Sequence, residues 1–283
     1  MREPMPDTVD HALAEAATRI ARRDAELLLG HVLGRDRTWL MMHGAETITA
    51  TQQARLKELT TRRETHEPLQ YLLGEQEFYG LPLRVTRDTL IPRPETEHLV
   101  EAVLDWSRTQ ASMSRIVDVG TGTGAIALAL AKHLPDASVF ACDISAAGLA
   151  VARENAERLG LGGRVQFRQS DLLSAYRSGA GQDNLFDAVV SNPPYIPSGD
   201  AAMMQPEVRD HEPHLALFAG DDGLDVYRRL IVEAHALLRE DGLLAMEIGY
   251  GQREALAALL SGWKDVRFFD DYAGIPRVAF ATK

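Results

Sequence analysis

Arg115-Ile116-Val117-Asp118-Val119-Gly120-Thr121-Gly122-Thr123-Gly124 is the stretch from which the rest of the chain can be read. It predicts a strand over Arg115–Val119, a glycine loop, and a helix over Gly124–His133. Glycines there let backbone approach a ligand at the positive end of the helix. Downstream the pattern repeats as Ser138–Cys142, Ala146–Leu159, Val165–Arg168, Phe186–Ser191, Leu224–Leu238, Leu243–Ile248 and Arg253–Leu260, closing on the extended run Arg277–Ala281. Strands alternating with helices specify an α/β fold with a doubly wound, largely parallel sheet. Upstream, Thr8 to Glu64 has helical spacing, with Leu27, Leu28, Val32 and Leu33 apolar and stop signals at Gly34 and Gly44. Two short extended runs flank a Gly/Pro turn within Phe78-Tyr79-Gly80-Leu81-Pro82-Leu83-Arg84-Val85, as in a hairpin. Ile91-Pro92-Arg93-Pro94-Glu95-Thr96-Glu97 then opens a helix to about Arg108, with Pro94 in its first turn and the acids favoured by the helix dipole. The expected organisation is a helical bundle over 1–74, a hairpin linker over 75–91 and an α/β domain over 92–283.

With 283 residues, 45% hydrophobic and 25% charged, the chain has room for one large and one small globular domain. Met1–Asp10 carries no apolar segment, and nowhere do about 18 uncharged apolar residues run together, so neither a signal peptide nor a membrane span is expected. The expected location is the cytoplasm, which suits a chain whose only cysteine is Cys142. That thiol is read as a buried strand residue. A net charge of −11 argues against stable nonspecific binding to nucleic acid, which depends on Lys and Arg displacing counterions from phosphates. The charge is uneven: residues 1–90 hold 12 Lys and Arg against 14 Asp and Glu, the remainder 18 against 27. Arg19, Arg22, Arg23, Arg35, Arg37, Arg55, Arg62 and Arg63 form either a solvated helical surface or a docking face for a macromolecular partner.

Two features define candidate chemistry. Gly120, Gly122 and Ala125 fit a dinucleotide fingerprint as well as any nucleoside loop, and Asp143 stands at the next strand end, where an acid grips a ribose. A nicotinamide dehydrogenase therefore competes on the loop alone. The second feature, Ser191-Asn192-Pro193-Pro194-Tyr195 after Phe186-Asp187-Ala188-Val189-Val190, tips the reading to methyl transfer from S-adenosylmethionine onto a planar NH2. The lone pair of such a nitrogen is delocalised, so the catalyst must hold it. The Asn192 carbonyl and the Pro193 carbonyl can accept its two N–H hydrogens, and the Tyr195 ring can pack on the flat group beside Pro194. Asp118 is suited to the cationic amino group of the methionine moiety, and Asp171 with Leu172 to the adenine. Gly120, Thr121, Gly122, Thr123 and Gly124 complete the expected cofactor site. His211 and His214 lack partners with metal-ligand spacing, and no metal is expected.

These pieces resemble the bacterial release factor glutamine methyltransferases along nearly the whole chain. The likeness rests on Pro68-Leu69-Gln70-Tyr71-Leu72-Leu73-Gly74, Phe78-Tyr79-Gly80, Ile91–Glu97, the glycine loop, Asn192–Tyr195, Glu212-Pro213 with Gly220-Asp221-Asp222-Gly223-Leu224, and Ala273-Gly274-Ile275. The resemblance implies a Rossmann-like class I methyltransferase domain joined by a β-hairpin to a small N-terminal helical domain. It also implies methylation of the amide nitrogen of glutamine in the Gly-Gly-Gln motif of peptide chain release factors, which modulates translation termination. The expected product is S-adenosylhomocysteine, the helical domain helps dock the factor, and the enzyme acts as a monomer. An adenine or cytosine amino-methyltransferase acting on nucleic acid is the alternative, since the same clamp suits any planar NH2.

Overall fold

The structure is a computed structural model describing residues 7–110, 114–179 and 184–283. It divides into two compact units, one of Met1–Gly74 with Gln205–His211, the other of Glu75–Met204 with Glu212–Lys283.

The first unit is built from α1 (Val9–Ala17), α2 (Arg22–Leu33), α3 (Arg37–Met42), α4 (Ala50–Glu64) and the short α5 (Leu69–Leu73). Polar residues open three of these helices. The Thr8 and Asp36 side chains accept the His11 and Trp39 N–H, and Thr49 with Gln52 forms a reciprocal capping box. Val9, Leu13, Leu28, Leu29, Leu56, Leu59 and Leu72 meet inside the bundle. Most of the arginines have intramolecular work: Arg19 pairs with Glu64, Arg22 and Arg37 with Glu26, Arg55 with Glu58, Arg62 with Glu67, and Arg63 with Asp24 and Glu207. Arg35 lies over the Trp39 ring.

The second unit begins with the hairpin of β1 (Glu75–Phe78) and β2 (Leu81–Arg84), turned by Tyr79 and Gly80 at φ +51° and +71°. A 3₁₀ turn at Pro94–Thr96 leads into α6 (Glu97–Ser107), so the proline that opens the segment sits in the tighter turn rather than in the helix proper. Then follow β3 (Arg115–Val119), α7 (Ala125–His133), β4 (Ser138–Asp143), α8 (Ala146–Arg158), β5 (Val165–Gln169) and β6 (Phe186–Ser191). After α9 (Pro206–His211), which belongs to the first unit, come α10 (Asp225–Leu237), β7 (Leu238–Glu247), α11 (Arg253–Leu259), β8 (Lys264–Asp270) and β9 (Pro276–Thr282). The seven-stranded sheet has the order β5-β4-β3-β6-β7-β9-β8. Strands β3 to β7 pair in parallel, whereas β9 runs antiparallel between β7 and β8. Apolar layers cover both faces: Leu99, Val103, Leu128 and Leu130 on one, Tyr227, Leu230, Leu237 and Leu256 on the other. Cys142 is buried in β4, as expected of it.

The strand order reverses at β3, with β4 on one side and β6 on the other, and such a reversal opens a crevice at the carboxyl ends of the strands. Strand β8 lies outside the strands expected from sequence. It is an edge strand, largely exposed and written Lys264-Asp265-Val266-Arg267-Phe268-Phe269-Asp270, so neither a continuous apolar run nor clean alternation announces it.

One buried side chain ties the hairpin to the glycine loop. Asn155 on α8 accepts the Arg84 N–H at 2.7 Å and donates to the carbonyls of Arg84 and Thr123, each at 3.0 Å. Asn155→Ala strands these three backbone groups, and a loss of about 2–3 kcal/mol in unfolding free energy is expected in a urea titration.

Candidate active site

A cleft of about 270 Å³ lies at the carboxyl edge of the sheet. Its wall includes Gly120, Thr121, Gly122, Thr123, Asp143, Asp171, Leu172, Asn192 and Pro194 from the sequence-expected set, together with Pro92, Arg93, Thr96, Ile126, Phe218 and Arg229. Parallel strands deliver these residues. The glycine loop follows β3, Asp143 ends β4, Asp171 lies beyond β5 and Asn192 follows β6.

Gly120 and Gly122 take φ of +73° and +54°, and a Cβ built on either meets nothing within 4 Å. Their bare backbone is thus an open floor for a ligand, in a conformation that L side chains resist. The loop is pinned from below by the Gly120 and Thr121 N–H, which donate to the Cys142 carbonyl at 2.8 and 3.0 Å. From the side, Asp143 accepts the Gly122 N–H at 2.9 Å and the Ser145 N–H at 2.8 Å. Burial pushes the Asp143 carboxyl above its ordinary pKa, with those backbone donors opposing the rise. Asp171 accepts from Arg229 at 2.7 Å, and Leu172 beside it adopts φ +46°. A bare backbone floor, a carboxylate at the second strand tip and apolar walls from Ile126, Leu172 and Phe218 form a donor set that fits an adenosine cofactor.

Four expected site residues are placed outside that wall. Asp118 is fully buried behind the loop, where its Oδ2 accepts the Thr121 hydroxyl at 2.6 Å and the Ala127 N–H at 3.2 Å. Its Oδ1 has no hydrogen-bond partner, and burial pushes the carboxyl up to about 7. The position expected to face a cofactor amino group instead fastens the loop to α7. Gly124 is the left-handed N-cap of α7, and Pro193 is buried. The half-buried Tyr195 ring packs against the core on the α10 side, and its carbonyl accepts Gln252 Nε2 at 2.9 Å.

Asn192 is held by groups that sequence reasoning gave no role. Its Nδ2 donates to Thr96 Oγ1 at 3.1 Å, and Thr96 donates in turn to Glu247 Oε2 at 2.5 Å. The Tyr195 hydroxyl gives Glu247 Oε1 a long hydrogen bond of 3.4 Å, and the Tyr227 hydroxyl donates to the Glu247 carbonyl at 2.8 Å. Glu247 is 2% exposed, and burial drives its carboxyl up to about 7 against the pull of Thr96 and Arg277. A second buried acid, Glu212, accepts the Ile91 N–H at 3.2 Å and pairs with Arg93, fixing Ile91-Pro92-Arg93 at the cleft. One signal was available for Glu247: a carboxylate closing the apolar run Leu243–Met246 has to be paired. His214 stacks edge-on to Phe218 at 5.4 Å, and among the described residues no group of three His, Cys, Asp or Glu gathers as a metal site.

Residues 96–208 match the methyltransferase small domain family. A methyltransferase from Pyrococcus furiosus superposes with a TM-score of 0.52 over 83% of this chain and 99% of its own, at 17% identity. A glycine-loop cleft on this sheet, with that family match, defines a class I methyltransferase dependent on S-adenosylmethionine. Residues 8–74 match the PrmC N-terminal domain family. Release factor glutamine methyltransferases from Koribacter versatilis and Moorella thermoacetica are 43% and 44% identical, over 96% and 98% of this chain and 94% and 99% of their own. The chain belongs to the release factor glutamine methyltransferase family.

Proposed function

We propose that this enzyme methylates the side-chain amide nitrogen of the glutamine in the Gly-Gly-Gln motif of peptide chain release factors. The observation that carries the reading is the held Asn192 side chain, whose Nδ2 donates to Thr96 Oγ1, at the wall of the cleft that the glycine loop and Asp143 also line. Substrate identity follows the relatives. A nucleic-acid amine is the reading they do not favour, and a net charge of −11 weighs against gripping a phosphate backbone.

S-adenosylmethionine supplies an electrophilic sulfonium methyl when bound. Gly120, Gly122 and Thr123 would form its floor, Asp143 would accept from the ribose hydroxyls, and Asp171 with Leu172 would border the adenine. Asn192 Oδ1 and the Pro193 carbonyl accept the two N–H hydrogens of the substrate amide, turning its lone pair toward the methyl and stabilising the charge that develops on nitrogen. No strong base is needed, because an amide nitrogen carrying positive charge sheds its proton to water. The helical unit docks the factor in the cytoplasm, and the enzyme works as a monomer. Its arginines are mostly spent on internal pairs, so docking is expected to be shape-driven and to weaken only a few-fold between 50 and 500 mM salt, roughly what a loss of rim charges would give.

The test offers the enzyme radiolabelled S-adenosylmethionine with an intact release factor and, separately, with DNA and RNA. Label is expected in the factor alone. Label in nucleic acid and none in protein would overturn the reading.

A further inference from the structure

Sequence and family leave open what decides which end of the Asn192 amide meets the substrate. We propose that Glu247 is a positioning residue: through the Thr96 hydroxyl it fixes Asn192 with its carbonyl oxygen, not its NH2, toward the cleft. The proposal rests on the Asn192 reading above.

Thr96 Oγ1 carries one hydrogen, and it is committed to Glu247 Oε2 at 2.5 Å, in the range of a charge-assisted O–H···O⁻ bond. Toward Asn192, Thr96 then offers only lone pairs. The amide atom 3.1 Å away must therefore be the donor Nδ2, and in a planar amide Oδ1 is left for the other side. Protonating Glu247 reverses the chain. The acid donates to Thr96, the Thr96 hydrogen turns to Asn192, and the amide flips to satisfy it. The cleft then faces an NH2 where the substrate NH2 needs an acceptor.

Glu247 is placed to make that change near neutrality. The groups facing it are Thr96 and Glu95 ahead of α6, Tyr195 after β6, Tyr227 on α10 and Arg277 on β9. Only Arg277 is cationic, and it is shared with Asp271 at 3.0 Å. Burial is the largest influence on the carboxyl and favours the neutral acid. Because the ionised form holds the productive arrangement, transfer is lost as pH falls through about 7.

The experiment measures single-turnover methylation of an intact release factor at saturating S-adenosylmethionine from pH 5.5 to 9, with cofactor affinity and melting temperature taken for every variant. Wild type is expected to lose roughly tenfold per pH unit on its acid limb. Glu247→Gln, which keeps the shape but donates toward Thr96 as the protonated acid does, is expected to be slow by about 10²-fold at pH 8 and to lose the limb. Thr96→Val should lose rate and limb together, while Thr96→Ser, which restores the hydroxyl, recovers both. Glu247→Gln or Thr96→Val with wild-type rate and an unchanged limb would overturn the proposal, and where the first fails to fold, the Val and Ser pair decides. Full activity in Asn192→Ala would instead mark failure of the underlying amide reading.

Discussion

Asn192→Ala is expected to slow methyl transfer by about 10²–10³-fold at saturating cofactor while changing cofactor affinity by no more than roughly threefold. The size follows from what the side chain does. In the proposed role its Oδ1 is a prearranged acceptor for a nitrogen that becomes positive only as the methyl arrives, so its contribution would grow toward the transition state. Truncation leaves the cofactor floor untouched, because Gly120, Gly122 and Asp143 are held by Cys142, Ser145 and one another rather than by Asn192. Thr96 keeps Glu247 as its partner, so only a modest stability loss accompanies the change. Single-turnover kinetics with a release factor, beside calorimetric binding of S-adenosylhomocysteine, separates the two effects. A loss of affinity matching the loss of rate would mean that Asn192 serves the cofactor instead.

Asp143→Ala is expected to behave in the opposite sense, weakening cofactor binding by about 10²-fold and leaving the rate at saturation within roughly tenfold of wild type. Two losses combine. In the proposed site the ribose hydroxyls would lose a carboxylate acceptor, and the Gly122 and Ser145 N–H groups lose the group that fixes the loop. Calorimetry with S-adenosylhomocysteine reads the first number and saturation kinetics the second. Unchanged affinity would remove Asp143 from the cofactor site.

The parts of this molecule legible in sequence are those whose chemistry is local. Val119 to Gly124 needs positive φ at the alternating glycines Gly120, Gly122 and Gly124, and Phe186–Ser191 is buried along its whole length, so loop and strands announce themselves. Asn192 and Asp143 were legible because each follows directly on such a strand. What escaped depends on partners far away in the chain. Nothing near Glu247 names Thr96, 151 residues earlier, as its partner, and nothing near Glu212 names Ile91 and Arg93. Asp118 sits at a strand end where a carboxylate can face either the ligand or the underside of its own loop, and spacing does not distinguish the two. Gln205–His211 reads as part of a long loop, yet it packs as a helix of the first unit, where Glu207 meets Arg63 and His211 meets the Thr65 carbonyl. Edge strand β8 was hidden by its charge.

The most direct test of the central claim is peptide-mapping mass spectrometry of a release factor after incubation with this enzyme and S-adenosylmethionine, beside a factor whose Gly-Gly-Gln glutamine is replaced by glutamate. One added methyl is expected, localised by fragmentation to that glutamine amide, and none in the glutamate form. A methyl on another residue, or equal labelling of both forms, would contradict the claim.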